Sequence, residues 1–283
     1  NFPGAKLDFL TQPPSDQALE RNPAIDEILA YESGRPLKWI LEIRRRGYEL
    51  VIDLMSNPRS ALVTAMSGAR LKAGPAYTSS SWAYGAKLEL KPGQREYNPF
   101  FKIDLLAQLG LKKIFYPYPK CYPAPEDLAW SAGAVAALAP PGRPRTFSEA
   151  AKVRGGPLIA FSPASRRITR QWPARHYARL AALVTQRTKA SVMVLWGPGE
   201  RALAEDFVRM AGPPPAEFTH RRAPQPVFPY AAPWVTLAPE TATLSRLSAL
   251  LKQAALLVSN CNGARHIAQA SGVHTLGIYG SSR

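Results

Sequence analysis

The chain has 283 residues, 46% hydrophobic and 20% charged, the balance of a globular protein and enough length for two domains with a core each. No apolar run nears the roughly 20 residues needed to cross a bilayer and no signal peptide is read, so any membrane contact is expected to be peripheral. The 36 Lys and Arg against 20 Asp and Glu leave a charge of +16, which favours anionic partners, and two cysteines, Cys121 and Cys261, suit a reducing cytoplasm rather than a disulfide framework.

Leu7 to Leu10 reads as a strand that follows a helix end at Phe2-Pro3-Gly4. Because Gly280-Ser281-Ser282-Arg283 comes straight after another strand, both ends read as cuts through a larger α/β protein. A short helix is expected from Asp16 to Leu19, then a strand from Ile25 to Ala30 after the Asn22-Pro23 break. Leu37 to Arg46 carries Leu37, Ile40 and Leu41 at helical spacing. Arg44, Arg45 and Arg46 sit at its C-terminus, where cations suit the helix dipole, and Gly47 is its stop. Leu50 to Leu54 is a buried strand, Ser60 to Ser67 a helix, and Arg70 to Gly74 the start of a further strand.

Residues 139–157 are rich in Pro, Gly and Arg, which places a linker at 146–157 between a Rossmann-like domain over 1–145 and a second over 158–283. Strands are then expected at Leu158 to Phe161, Ser191 to Trp196, Trp234 to Leu237, Leu256 to Ser259 and Thr275 to Tyr279. Between them lie helices at Pro173 to Gln186, with Pro173 at the first helical position, Glu200 to Met210, Leu244 to Ala254 and Gly263 to Ser271. Apolar strands alternating with helices give an α/β fold with mostly parallel sheets. The proline-rich stretch from Pro213 to Pro233 reads as an irregular loop, a lid over the cleft.

Ligands of open α/β sheets bind outside the carboxyl ends of the strands, which selects four loops. Ser162 and Ser165 offer hydroxyls beside Arg166, Arg167 and Arg170; Gly197 and Gly199 let backbone approach a ligand; Glu240 and Thr241 suit ribose hydroxyls. Asn260-Cys261-Asn262-Gly263 opens a helix with His266 in its first turn, a natural holder of phosphate. Together they describe a site for a nucleoside diphosphate. His220 and His274 offer no metal spacing.

The residues that carry this reading resemble glycosyltransferase family 9, the heptosyltransferases and their relatives. The resemblance rests on Ser162-Pro163-Ala164-Ser165 with Arg170-Gln171-Trp172-Pro173, Leu195-Trp196-Gly197 with Glu200, Leu237-Ala238 with Glu240-Thr241 and Leu244, and Asn260 to His266 with Gly280. In the first half it takes in Asn22-Pro23, Tyr48 to Leu54 with Arg59-Ser60, and Leu109-Gly110. It implies a GT-B arrangement, two Rossmann-like domains facing across a cleft, with donor on the C-terminal domain and acceptor on the N-terminal one.

The resemblance further implies transfer of heptose from an ADP-heptose donor to lipopolysaccharide core or a similar anionic glycan, with inversion and without an obligatory metal or other cofactor. It assigns Ser162, Ser165, Arg170, Gly197, Glu240, Thr241, Cys261, Asn262, Gly263 and His266 to the donor, with Arg170 where the family usually has a phosphate-binding lysine, and Arg59 to the acceptor. The family's catalytic aspartate is expected before Asn1, so no base is assigned. Cys261 stands where an acidic residue is usual, and Arg265 where an apolar or small one is. Such a transferase works in the cytoplasm, peripheral to the inner membrane, and its arginines are scattered rather than striped, which argues against nucleic acid. Cys261 motivates the alternative, a non-catalytic protein that binds a sugar nucleotide or anionic glycan in the same cleft.

Overall fold

A computed structural model describes residues 4–32, 34–89, 98–110, 118–138, 157–211 and 235–279. The chain forms two compact units, one of Asn1–Asp16 with Ala24–Pro117 and one of Gln17–Pro23 with Tyr118–Arg283.

In the first unit, β1 (Asp8–Thr11) pairs in parallel with β2 (Glu27–Ala30), Asp8 opposite Glu27. The helix expected at 16–19 is one 3-10 turn, Ser15–Ala18. Helix α1 (Pro36–Arg46) starts on a proline, whose missing N–H costs nothing there, and stops at Gly47 in the left-handed conformation, φ 66°. It buries Trp39, Ile40 and Ile43 against Leu29 and Tyr31. Arg46 clamps it to the sheet through Glu27 (2.6 Å) and Asp8 (3.3 Å) and pairs within the helix with Glu42 (2.9 Å). A second parallel sheet follows, β3 (Leu50–Ile52), β4 (Leu71–Pro75) and β5 (Ala86–Leu88), in that order. Helix α2 (Pro58–Met66) lies between β3 and β4 in sequence and is opened by a reciprocal capping box, Asn57 with Ser60. Helix α3 (Asn98–Ala107) sends Leu105 into the pocket of Ala73 and Leu88.

The second unit holds α4 (Pro125–Leu138), β6 (Leu158–Ser162), α5 (Ala174–Thr188), β7 (Ser191–Val194), α6 (Arg201–Ala211), β8 (Val235–Leu237), α7 (Leu244–Leu251), β9 (Leu256–Ser259), α8 (Gly263–Ala270) and β10 (His274–Gly277). Its five strands are all parallel, in the order β10-β9-β6-β7-β8. Both faces of the sheet are covered, and the period-two alternation of side chains decides what goes where. Ile159, Phe161, Val192, Val194 and Val258 point to one face, where Phe161 meets Tyr177 of α5 and Phe207 of α6 edge-on at 6.1 and 5.7 Å. Such ring pairs add about 0.5–1.5 kcal/mol each beyond area burial. Ala160, Met193, Leu195 and Leu257 point to the other face, against Leu250 and Leu251 of α7 and Ala268 of α8.

The structure departs from the sequence reading in domain division and in several element bounds. The division falls at Pro117–Tyr118 and not at 145, because α4 belongs to the second unit. Val135 and Leu138 of α4 pack into its core, Ser245 Oγ accepts from the Ala124 N–H at 3.0 Å, and Arg246 stacks on Trp130. The expected linker at 146–157, the Pro213–Pro233 loop and Gly280 lie outside the described residues, apart from Pro157. Pro173 is the N-cap of α5 and not its first helical residue; its ψ of 138° is extended, and the helix begins at Ala174. The strand expected to reach Trp196 ends at Val194, where Leu195 and Trp196 leave the ladder, and β5, α3 and α4 were not foreseen.

Candidate functional site

The strand order of the second unit contains its own signpost. From β6 the chain adds β7 and β8 on one side, then returns to add β9 and β10 on the other, so the topology reverses between β6 and β9. Loops leaving two such strands diverge and open a crevice at their carboxyl ends. Ser162 pairs with Ser259 at that edge, so the Ser162–Ser165 loop and the Asn260–Gly263 turn leave the sheet side by side.

Two asparagines hold these loops. Asn260 is fully buried; its Oδ1 accepts the Trp172 N–H at 3.0 Å and its Nδ2 donates to the Pro163 carbonyl. Asn262 is the N-cap of α8, with Oδ1 accepting the Arg265 N–H at 3.2 Å, while its Nδ2 donates to Ser162 Oγ (2.8 Å) and the Ala164 carbonyl (2.9 Å). Both side chains are therefore committed to architecture. What remains open is backbone: the N–H groups of Cys261, Asn262, Gly263 and Ala264 have no hydrogen-bond partner among the described residues. These donors sit at the positive end of the α8 dipole, the arrangement that receives phosphate.

The remaining predicted residues distribute along the same edge. Ser162 is buried, its hydroxyl engaged by Asn262; Ser165 is half-buried. Arg170 closes a 3-10 turn, Ile168–Arg170, and its guanidinium meets no carboxylate among the described residues, a cation without a protein counter-ion. The Gly197 N–H donates to Glu200 Oε2 at 2.9 Å, so this glycine shapes the β7 loop and is not a spare donor. Trp196 Nε1–H donates to the Ala238 carbonyl at 2.8 Å and joins that loop to the next, where Glu240 is exposed and Thr241 half-buried. Cys261 is a free, partly exposed thiol. From β9 to β8 the edge crosses three strand spacings, about 14 Å, comparable to a nucleoside with two phosphates.

His266 stands exposed in the first turn of α8, and local desolvation with the Arg265 charge pushes its pKa below the usual histidine range. It is neutral at pH 7. Arg265 stacks on Tyr279 at 5.3 Å and donates to its hydroxyl, and Tyr279 in turn lies so close over Gly277 that a Cβ there would meet its ring at 2.7 Å. The sequence places Asn260 in this turn but shows neither the two bonds its buried side chain makes nor the Arg265–Tyr279 pair.

Arg59 belongs to the first unit. It is exposed in the first turn of α2, and its guanidinium has no ion-pair partner among the described residues. Beside it, at the carboxyl end of β3, lies a cluster that the sequence did not reveal. Buried Asp53 accepts from the N–H groups of Met55 (3.0 Å) and Ser56 (2.8 Å) and from the Tyr84 hydroxyl (2.8 Å). It thereby holds Ser56 at φ 51°, a left-handed conformation that costs a non-glycine residue about 1 kcal/mol or more. Among the described residues no group of three or more His, Cys, Asp or Glu is arranged to hold a metal.

The fold and the site together define a Rossmann-like α/β protein with an anion-receptive turn at the switch point of its sheet. The model of glycosyltransferase family 9 (heptosyltransferase) matches residues 37–283, and the chain belongs to that family, a family of sugar transferases. No curated protein matches it. Among solved structures it is similar to a glycosyl transferase family 9 protein from Veillonella parvula DSM 2008, at 17% identity and TM-score 0.69 over 96% of this chain and 71% of that one. It is similar also to E. coli ADP-heptose lps heptosyltransferase II (18%, TM-score 0.68, 100% and 78%) and to E. coli heptosyltransferase WaaC with ADP (18%, 0.66, 100% and 80%). At these identities the likeness is one of fold.

Proposed function

We propose that this glycosyltransferase moves a heptose-type sugar from a nucleoside-diphosphate donor of the ADP-heptose type to lipopolysaccharide core or a similar anionic glycan. The observation that carries the donor half is the run of N–H groups from Cys261 to Ala264 at the start of α8, with the Arg170 guanidinium on the same sheet edge, none of which has a partner among the described residues. Structures of E. coli WaaC with ADP and with ADP-2-deoxy-2-fluoro heptose support adenosine diphosphate as the donor's carrier.

In this reading the diphosphate oxygens accept from Cys261, Asn262, Gly263 and Ala264 and take a bidentate contact from Arg170, which stabilise the charge that builds on the leaving group. Neutral His266 adds a further donor, Ser165 a hydroxyl, and Glu240 with Thr241 holds the ribose end. Ser162 and Gly197 act through the loops they shape. Charge stabilisation by N–H groups and guanidinium takes the place of a metal, and transfer proceeds with inversion: the acceptor hydroxyl attacks the anomeric carbon opposite the diphosphate, the bond from that carbon to the diphosphate breaks, and the hydroxyl proton passes to a general base that is not among these residues. Arg59 orients the acceptor's phosphates, and a lipid-anchored acceptor brings the enzyme to the cytoplasmic face of the inner membrane. A thermal-shift series with ADP-, UDP-, GDP- and CMP-sugars tests the reading. Stabilisation greatest with the ADP-sugar is expected; stabilisation by none of them would overturn it.

A further inference from the structure

The outer faces of α1 and α2 carry apolar side chains that the fold leaves uncovered. Leu37 and Leu41 of α1 are 71% and 65% exposed, and Leu62 and Met66 of α2 are 39% and 44% exposed. Helical geometry aligns them: at 3.6 residues per turn Leu37, Leu41, Arg44 and Arg45 fall within about 100° of one another, opposite the buried Trp39, Ile40 and Ile43, and Leu62 lies one turn below Met66. The two helices are neighbours. Val63 of α2 packs into the cluster of Trp39, Ile40 and Ile43, and Arg44 Cγ comes within 3.4 Å of where a Cβ on Gly68, just past α2, would stand.

The charge on this surface is net positive: its exposed acid, Glu32, is already paired with Lys38 of α1 at 3.2 Å and with Arg35 at 3.6 Å. Arg44 and Arg45 are exposed and have no ion-pair partner among the described residues, α2 contains no acidic residue, and the one carboxylate of α1, Glu42, is turned to Arg46. Aliphatic side chains flanked by arginines that have no ion-pair partner among the described residues match the boundary between headgroups and acyl chains of an anionic bilayer. We propose that α1 and α2 form a docking surface for anionic phospholipid, with Leu37, Leu41, Leu62 and Met66 entering the interface and Arg44 and Arg45 on the phosphates. This assignment stands on the first unit alone and does not depend on which donor the second unit binds.

The test is co-sedimentation of the protein with vesicles of phosphatidylcholine, with and without phosphatidylglycerol. The wild type is expected to bind only the anionic vesicles. The pairs Leu37→Ser with Leu41→Ser and Arg44→Glu with Arg45→Glu are each expected to lower that binding at least about tenfold, and Arg175→Glu with Arg187→Glu, the same charge change on α5, to lower it less than about threefold. Should the serine pair fail to fold, Leu37→Ala with Leu41→Ala replaces it. Three results would overturn the proposal: no binding to either vesicle; equal losses for the two charge pairs with the leucine pair binding as wild type, which is diffuse attraction to a cationic chain; or a dimer in sedimentation velocity that the leucine pair dissolves, which makes the surface a protein interface.

Discussion

Asn262 carries two separable functions, and two substitutions divide them. Asn262→Ala removes the N-cap acceptor of the Arg265 N–H and both Nδ2 donations, to Ser162 Oγ and the Ala164 carbonyl. A lost cap costs about 1 kcal/mol and each side-chain hydrogen bond about 0.5–1.5 kcal/mol, so the second unit should lose about 3 kcal/mol. Asn262→Ser keeps a capping oxygen and loses only the two donations, about 2 kcal/mol. In a unit of this size that corresponds to about 6–12 °C in Tm for the alanine variant and about 4–8 °C for the serine variant. Urea unfolding followed by tryptophan fluorescence measures both. An alanine variant within about 0.5 kcal/mol of wild type, or serine and alanine variants of equal stability, would refute the assignment of cap and staple to one side chain.

Three further outcomes follow from the geometry. Arg170→Ala should weaken nucleoside-diphosphate binding by about 1.5–3 kcal/mol, the range for hydrogen bonds to charged groups, while leaving Tm without ligand nearly unchanged; isothermal titration reads the first and thermal unfolding the second. Because His266 is held below the usual histidine pKa, an anion bound beside it favours its proton, so diphosphate affinity should rise as pH falls from 7.5 through the histidine range, and His266→Gln should flatten that rise. In the first unit, Tyr84→Phe leaves buried Asp53 one donor short and should cost about 1–3 kcal/mol at pH 7. The Tyr84 hydroxyl is pushed up to about 12, chiefly by burial, so its contribution is complete below pH 10 and is lost as pH rises toward 12; the wild type should fall in stability over that window more steeply than the phenylalanine variant.

The second unit was more legible in the sequence than the first. Its strands are continuous apolar runs such as Leu158 to Phe161 and Leu256 to Ser259, bounded by Gly, Pro and Asn, and burial on both faces demands that pattern. Helix α4 escaped notice because its small-residue run Ser131-Ala132-Gly133-Ala134 has no sharp polar face, and only its packing on α7 shows which unit it joins. The phosphate turn could be read because donors at a helix start are a local property of the chain. What Ser162, Asn260 and Gly197 do could not, since each bonds a group brought near by the sheet register or by a turn: Ser162 to Asn262, Asn260 to Trp172, and the Gly197 N–H to Glu200. The Asp53–Tyr84 pair, 31 residues apart, is invisible for the same reason.

Comparing ADP, AMP and adenosine by isothermal titration tests the central claim most directly, since the Cys261–Ala264 turn and Arg170 are assigned to the diphosphate. The account predicts that ADP binds most tightly and adenosine most weakly, with Arg170→Ala abolishing most of the gap between ADP and AMP. Equal affinities for all three, or a gap untouched by the substitution, would contradict it.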